Sequence, residues 1–138
     1  MLDIAFIIPC YNEQESIGLV IEEIKQFFPE AGIFVCDNNS NDRTSEVAAG
    51  AGAIVLFERV KGKGNAVRRL LRDVEAQLYV MVDGDNTYDL SSVENAINES
   101  KLKRFDLMTG DRFATLGKSH FRKGHGAGNL FFTSFFRF

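Results

Sequence analysis

Ile4-Ala5-Phe6-Ile7-Ile8-Pro9 places five apolar residues in a row and closes them with a proline. A short, unbroken apolar run of this kind reads as a strand buried on both faces, as in a parallel sheet. The chain that follows supports that reading. Ile17, Val20, Ile21, Ile24 and Phe28 recur at spacings of three and four, the stripe of a helix packed on a sheet, and Pro29 and Gly32 end it. Ile33-Phe34-Val35-Cys36 predicts a second strand, Thr44 to Ala49 a short helix, and Ala53-Ile54-Val55-Leu56-Phe57 a third strand. Ala66, Val67, Leu70, Leu71 and Val74 mark a third helix, and Leu78-Tyr79-Val80-Met81-Val82 a fourth strand. A helix around Ser91 to Ser100 and a strand around Leu107 to Thr109 complete the pattern. Strand and helix alternate with short connections, so the expected fold class is α/β: three layers, α/β/α, with a mostly parallel sheet of Rossmann-like type.

The composition fits one domain or most of one. In 138 residues, 45% are apolar and 25% charged, which argues against disorder. The net charge of −3 argues against a nucleic-acid partner. No apolar run approaches the ~18 residues of a membrane span. Met1-Leu2-Asp3 lacks the basic start of a signal peptide, and two cysteines make no disulfide framework, so a reduced, cytoplasmic setting is expected. Cys10 and Cys36 read as small buried hydrophobes. The charge is uneven: residues 1–111 hold 11 Lys/Arg and all 19 Asp/Glu, whereas residues 112–138 hold five Lys/Arg and no acid. Residues 114–138 also carry Phe121, Phe131, Phe132, Phe135, Phe136 and Phe138. A basic, phenylalanine-rich end suits an anionic amphipathic surface such as lipid phosphate, at the cytoplasmic face of a membrane. Equally, the rings could belong to a larger core, or join copies of the chain as a homo-oligomer.

In a parallel sheet, ligands bind at the carboxyl ends of the strands, so the residues just past each strand carry the chemistry. The fourth strand runs into Asp83-Gly84-Asp85. Residues i and i+2 of an extended segment point the same way, so the two carboxylates can face one hard divalent cation, with Gly84 allowing a sharp turn. The other reading is a solvated turn in which Asp83 caps the next helix. The second strand ends in Asp37-Asn38-Asn39-Ser40-Asn41-Asp42, where Asp37 can meet a ribose hydroxyl or base edge and Asn41 or Asp42 can cap the following helix. The first strand ends in Pro9-Cys10-Tyr11-Asn12-Glu13, without the glycine-rich loop of a dinucleotide fold; this disfavours hydride transfer. Tyr11 can pack on a flat base, and Glu13 can accept from a base N–H. Lys61-Gly62-Lys63-Gly64, at a helix start, can cradle phosphate or simply turn at the surface. His120 and His125 lack further ligands at zinc spacing and suit phosphate or surface contact.

Taken in order, Ile7-Ile8-Pro9-Cys10-Tyr11-Asn12-Glu13, Cys36 to Thr44, Gly62-Lys63-Gly64-Asn65-Ala66, Val82-Asp83-Gly84-Asp85 and Gly110-Asp111-Arg112-Phe113 resemble family 2 glycosyltransferases, in the branch of the dolichyl-phosphate or polyprenyl-phosphate sugar transferases. The match runs over residues 4–113 and more loosely to Asn129. The resemblance implies a GT-A fold, a UDP- or GDP-linked sugar donor, a divalent cation (Mg or Mn) and inversion at the anomeric carbon, with a lipid phosphate as acceptor. It implies that Pro9, Tyr11, Asn12, Glu13, Asp37, Asn39, Lys63, Asp83, Gly84 and Asp85 hold the nucleotide sugar. Asp83 and Asp85 match the metal pair. Asp85, Arg112 and Asp111 fall among the catalytic positions, with Asp89 and Asp111 as fallback bases. Arg112, Arg122 and Lys123 would meet the acceptor phosphate. Residues 1–113 then form the nucleotide-sugar-binding core, and residues 114–138 the start of an acceptor- or membrane-facing region that reads as incomplete. Two other readings stand beside this one. One is a non-catalytic fragment that binds nucleotide sugar; the other is a nucleotidyltransferase, whose first-strand glycine loop is missing here.

Overall fold

The computed structural model describes residues 2–88, 90–103 and 105–110. In chain order the elements are β1 (Leu2–Cys10), α1 (Ile17–Phe27), β2 (Gly32–Asp37), α2 (Thr44–Gly50), β3 (Ile54–Phe57), α3 (Lys63–Asp73), β4 (Ala76–Met81), a 3-10 turn (Leu90–Ser92) and α4 (Val93–Lys103). All of them lie in one compact unit, Met1–Lys103. The four strands are parallel, in the order β3-β2-β1-β4.

Alternation along β1 builds both faces. Phe6, Ile8 and Cys10 point to one side, where they meet Ile17, Val20, Ile21 and Ile24 of α1, Ala48 of α2, Val82 and Leu90. Phe6 also packs its ring 5.0 Å from that of Phe28. Ile7 points to the other side and joins Cys36, Ala66 and Leu70, which seats α3. The sheet is thus covered on both faces, as the alternating pattern predicts. Both cysteines are free and buried, as expected of small hydrophobes; burial pushes the Cys36 thiol up to about 11 and the Cys10 thiol higher still.

Two expectations need correction. Pro9 does not close β1: the strand continues to Cys10, with Pro9 buried in register with Cys36. A proline is tolerated there because of the direction in which its missing N–H would point. Ile7 O accepts from Val82 N at 3.3 Å on the β4 side, and Cys10 O accepts from Asn38 N at 2.8 Å on the β2 side. Backbone groups alternate between neighbours, so Pro9 shares the side of Ile7 and faces β4, whose last paired residue is Met81. The strand expected around Leu107 to Thr109 is also not formed. A strand exists only through its ladder; no described strand pairs with these residues, and Leu107 is 81% exposed.

Leu70 is fully buried against Ile7 and Cys36, whereas Leu71 beside it is 50% exposed. Leu70→Ala is expected to cost about 2–5 kcal/mol in urea unfolding, and Leu71→Ala about 0.5 kcal/mol or less. Equal effects would contradict the placement of α3.

Candidate active site

The strand order places β4 on one side of β1 and β2 on the other, so the chain reverses its direction of winding between β1 and β4. That switch point opens a crevice at the carboxyl ends of the strands. Past Ile7↔Met81 the β1–β4 ladder cannot continue, because Pro9 has no N–H to offer. The chain leaves the sheet at Val82 and turns through Asp83-Gly84-Asp85.

The loops after β1 and β2 hold each other by reciprocal hydrogen bonds. Asn12 N donates to Ser40 Oγ (3.0 Å), and Asn41 N donates back to Asn12 Oδ1 (2.8 Å). Gln14 N donates to Asp42 Oδ2 (3.2 Å), and Arg43 N donates back to Gln14 Oε1 (3.0 Å). At the centre, Glu13 N donates to the fully buried Thr44 Oγ1 (2.8 Å), and that hydroxyl donates to Asp42 Oδ1 (2.5 Å). Asp42 Oδ1 also accepts from Thr44 N (3.0 Å), which closes a turn just ahead of α2; the N-cap position itself falls on Arg43, which makes no side-chain cap bond, so neither Asn41 nor Asp42 is the N-cap. Burial raises the Asp42 pKa, but the Thr44 hydroxyl and the Thr44 and Gln14 amides outweigh it and hold the carboxyl below its usual range. Asn12 (φ 55°) and Asn39 (φ 64°), together with Asn86 (φ 57°) after β4, take the left-handed conformation that asparagine tolerates better than most residues.

Asp37 is buried at the tip of β2. Its Oδ1 accepts from Ser40 N (2.8 Å), and its Oδ2 accepts from Ser45 Oγ. Tyr11 stands half-exposed, with Lys61 Nζ 3.1 Å from its hydroxyl and 4.8 Å from its ring centre. Hydrogen bonding to Lys61, reinforced by its charge, lowers the Tyr11 pKa.

Four charged groups meet around the turn after β4. Asp83 Oδ1 is ion-paired with Lys63 Nζ, and Asp83 Oδ2 accepts from Tyr88 OH at 3.4 Å. Asp85 is exposed; its Oδ1 accepts from Thr87 N (3.2 Å) and Thr87 Oγ1 (2.6 Å). Gly84 is buried, and its carbonyl accepts from Ser16 Oγ at 2.6 Å. A Cβ on Gly84 would fall 2.6 Å from Cys10 Sγ and closer still to Glu13 Oε2, so only glycine fits. Glu13 Oε2 is the one buried side-chain polar atom without a hydrogen-bond partner among the described residues. Burial raises the Glu13 pKa; the Cys10 thiol opposes that, and the Asp85 and Asp83 carboxylates reinforce it. The structure therefore turns this oxygen of Glu13 toward Gly84, in the Asp83–Asp85 turn.

The donor set suits a hard divalent cation, since every candidate ligand is a carboxylate oxygen. Among the described residues no three His, Cys, Asp or Glu converge to form a cage. Asp83 and Asp85 can thus supply only part of a coordination shell, which is how Mg2+ is commonly held when phosphates and waters complete it. Lys63 shares the Asp83 carboxylate and is 57% exposed, so a competing cation can displace it at small cost.

Of the residues singled out from sequence, Pro9, Tyr11, Asn12, Glu13, Asp37, Asn39, Asp83, Gly84 and Asp85 lie at the carboxyl ends of the strands or in the loops that follow them, and Lys63 is the first residue of α3, just past the loop after β3. Asp89, Asp111, Arg112, Phe113, Arg122, Lys123, His120, His125 and the remainder of residues 114–138 lie outside the described residues. Sequence reasoning gave no role to Ser16, Asn38 or Thr44. Only their positions next to strand ends could have marked them.

The sequence pattern of glycosyl transferase family 2 matches residues 5–137. Protein RfbJ of Shigella flexneri is 50% identical over 123 residues, covering 89% of this chain and 95% of RfbJ. The dolichyl-phosphate hexose transferase of Haloferax volcanii is 31% identical over 133 residues, covering 94% of this chain and 56% of that protein. Among solved structures, glucosyl-3-phosphoglycerate synthase from Mycobacterium tuberculosis, in complex with Mn2+, UDP and phosphoglyceric acid, superposes with a TM-score of 0.55 at 27% identity. That superposition covers 60% of this chain and 33% of the synthase. The chain thus spans nearly all of one relative and about a third to a half of the others. A four-stranded parallel sheet with its carboxylates at the switch point, and a family pattern running almost its whole length, make this chain a member of glycosyl transferase family 2.

Proposed function

We propose that this chain binds a nucleotide-diphosphate sugar at the carboxyl ends of β1, β2 and β4, and serves an inverting transfer of the sugar to a lipid phosphate. The observation that carries the reading is the Asp83-Gly84-Asp85 turn, held at the switch point by Ser16 and backed by Glu13. Tyr11 offers a half-exposed ring for the base, and Asp37 a carboxylate at the tip of β2. Lys63 brings an ammonium beside Asp83, where a diphosphate would need positive charge. A divalent cation held by Asp85 and Asp83 would neutralise charge on the leaving diphosphate. Mn2+ and UDP in the related synthase structure support that donor chemistry.

In the transfer, an acceptor oxygen forms a bond to the anomeric carbon from the face opposite the diphosphate. The bond from that carbon to the diphosphate oxygen breaks, and the electron pair leaves with the nucleoside diphosphate. A phosphate acceptor is already anionic and needs no general base. The name of the Haloferax relative supports a lipid-phosphate acceptor.

Calorimetric titration of UDP and GDP, with and without Mn2+, tests the reading. One of the two nucleotides should bind, and more tightly with metal; Asp85→Asn should weaken the metal-dependent binding by about tenfold or more, roughly 1.4 kcal/mol. Absence of binding under every condition would overturn it. Gly84→Ala forces a methyl group into Glu13 and Cys10. It should cost about 1–3 kcal/mol of stability and abolish the metal dependence, measured by melting and by the same titration.

A further inference from the structure

Asn38 is 5% exposed, and every hydrogen bond found for it crosses to another element. Its Nδ2 donates to Glu58 O (3.2 Å) and Val60 O (2.8 Å), and its Oδ1 accepts from Gly62 N (2.6 Å). Its own N–H donates to Cys10 O at 2.8 Å. One buried carboxamide therefore ties the tip of β2 to the whole segment between β3 and α3. That segment carries Lys61, whose ammonium lies over Tyr11, and it leads directly into Lys63, whose ammonium lies on Asp83. Gly62 takes a φ of 128° at the N-cap of α3, so its N–H bond to Asn38 also fixes where that helix begins.

We propose that Asn38 is a positioning residue for the donor: its carboxamide sets where Lys61 and Lys63 stand relative to Tyr11 and Asp83. The proposal rests on the donor-binding reading above. Lysine side chains are long and flexible, and they aim a charge only as well as their backbone is fixed. Exposed ion pairs such as Lys63–Asp83 do little to fix it. A fully satisfied buried amide is a far stiffer anchor, because breaking its bonds strands polar groups away from water. The side chain must both donate twice and accept once in this place. Aspartate could accept from Gly62 but would set a carboxylate against the Glu58 and Val60 carbonyls.

Two measurements on the full chain test this. Hydrogen exchange of the free protein should show the amides of Val60 and Gly62 exchanging about tenfold faster or more in Asn38→Asp, with the β1 and β2 core amides unchanged. Titration with UDP or GDP and Mn2+ should show Asn38→Asp and Lys61→Ala each weakening binding about fivefold or more, and the double variant no weaker than about the worse single one. Asn38→Ala removes the same bonds without adding charge and gives both readouts if the aspartate variant fails to fold. Unchanged exchange at Val60 and Gly62, or single-variant effects that multiply in the double variant, would overturn the proposal. Should the unaltered chain bind neither nucleotide, the donor-binding reading itself fails, and the exchange measurement alone shows whether Asn38 holds the segment.

Discussion

Pro9 has no N–H, and the β1–β4 ladder stops where that group would have been needed. Ile7 O still accepts from Val82 N, but nothing at Pro9 can donate to the next carbonyl of the neighbouring chain. On the other side of β1 the ladder runs on, through Cys10↔Asp37 to the bond from Asn38 N. One missing donor thus leaves β1 paired to its end at Cys10 on the β2 side and last paired at Ile7, three residues earlier, on the β4 side. The chain after β4 separates from the sheet there, and Gly84 lets it turn back over Glu13 and Cys10. The site's position follows from that local asymmetry together with the strand order, which puts the switch point at the same place.

The loops around the crevice are fixed by bonds within the protein. Asn12, Gln14, Ser40 and Asp42 exchange backbone and side-chain bonds in both directions, with Thr44 buried between them. Across the crevice, Ser16 holds the Gly84 carbonyl. Loops already ordered in the free protein lose less freedom when a ligand arrives, so more of the contact energy remains as affinity. The same bonds explain why so many polar residues sit at strand tips without long flexible connections.

Much of this was legible in the sequence, because burial writes a period into the chain. The apolar runs at Ile4–Ile8 and Ile33–Cys36 gave two central strands, and the stripe through Ile17, Val20, Ile21 and Ile24 gave α1 with its buried face. Asp83-Gly84-Asp85 stood out because two carboxylates follow a buried strand. What could not be read were long-range partners. Asn38 looks like any other residue of a polar turn until Glu58, Val60 and Gly62 are placed beside it. That one oxygen of Glu13 stands beside Gly84 and Cys10 could not be read either, because Gly84 lies 71 residues further along the chain. Pro9 looked like a strand end, since the direction of one missing N–H depends on which strand lies on each side. The apolar residues Leu107 and Met108 suggested another strand, but strand formation depends on a pairing partner that periodicity does not report.

The charges at the crevice are unbalanced in a way that bears on what it can hold. Glu13, Asp83 and Asp85 approach closely enough for both aspartates to raise the Glu13 pKa, on top of the larger effect of its burial. Lys63 is the cation paired with Asp83, and an ammonium on a flexible stem carries one charge and three donors with no preferred geometry. A bare nucleoside diphosphate would add negative charge to carboxylates that already repel one another. A diphosphate arriving with a divalent cation brings the charge that the carboxylates lack. In the proposed donor complex it would also free Lys63 to turn from Asp83 toward phosphate oxygens, exchanging a partly exposed ion pair for a charge-assisted contact to the ligand. Asp85, exposed and fixed through Thr87, would be the carboxylate to meet that cation first. Under the proposed function, three acids and one lysine held around Gly84 would therefore take a diphosphate together with its cation in preference to the diphosphate alone.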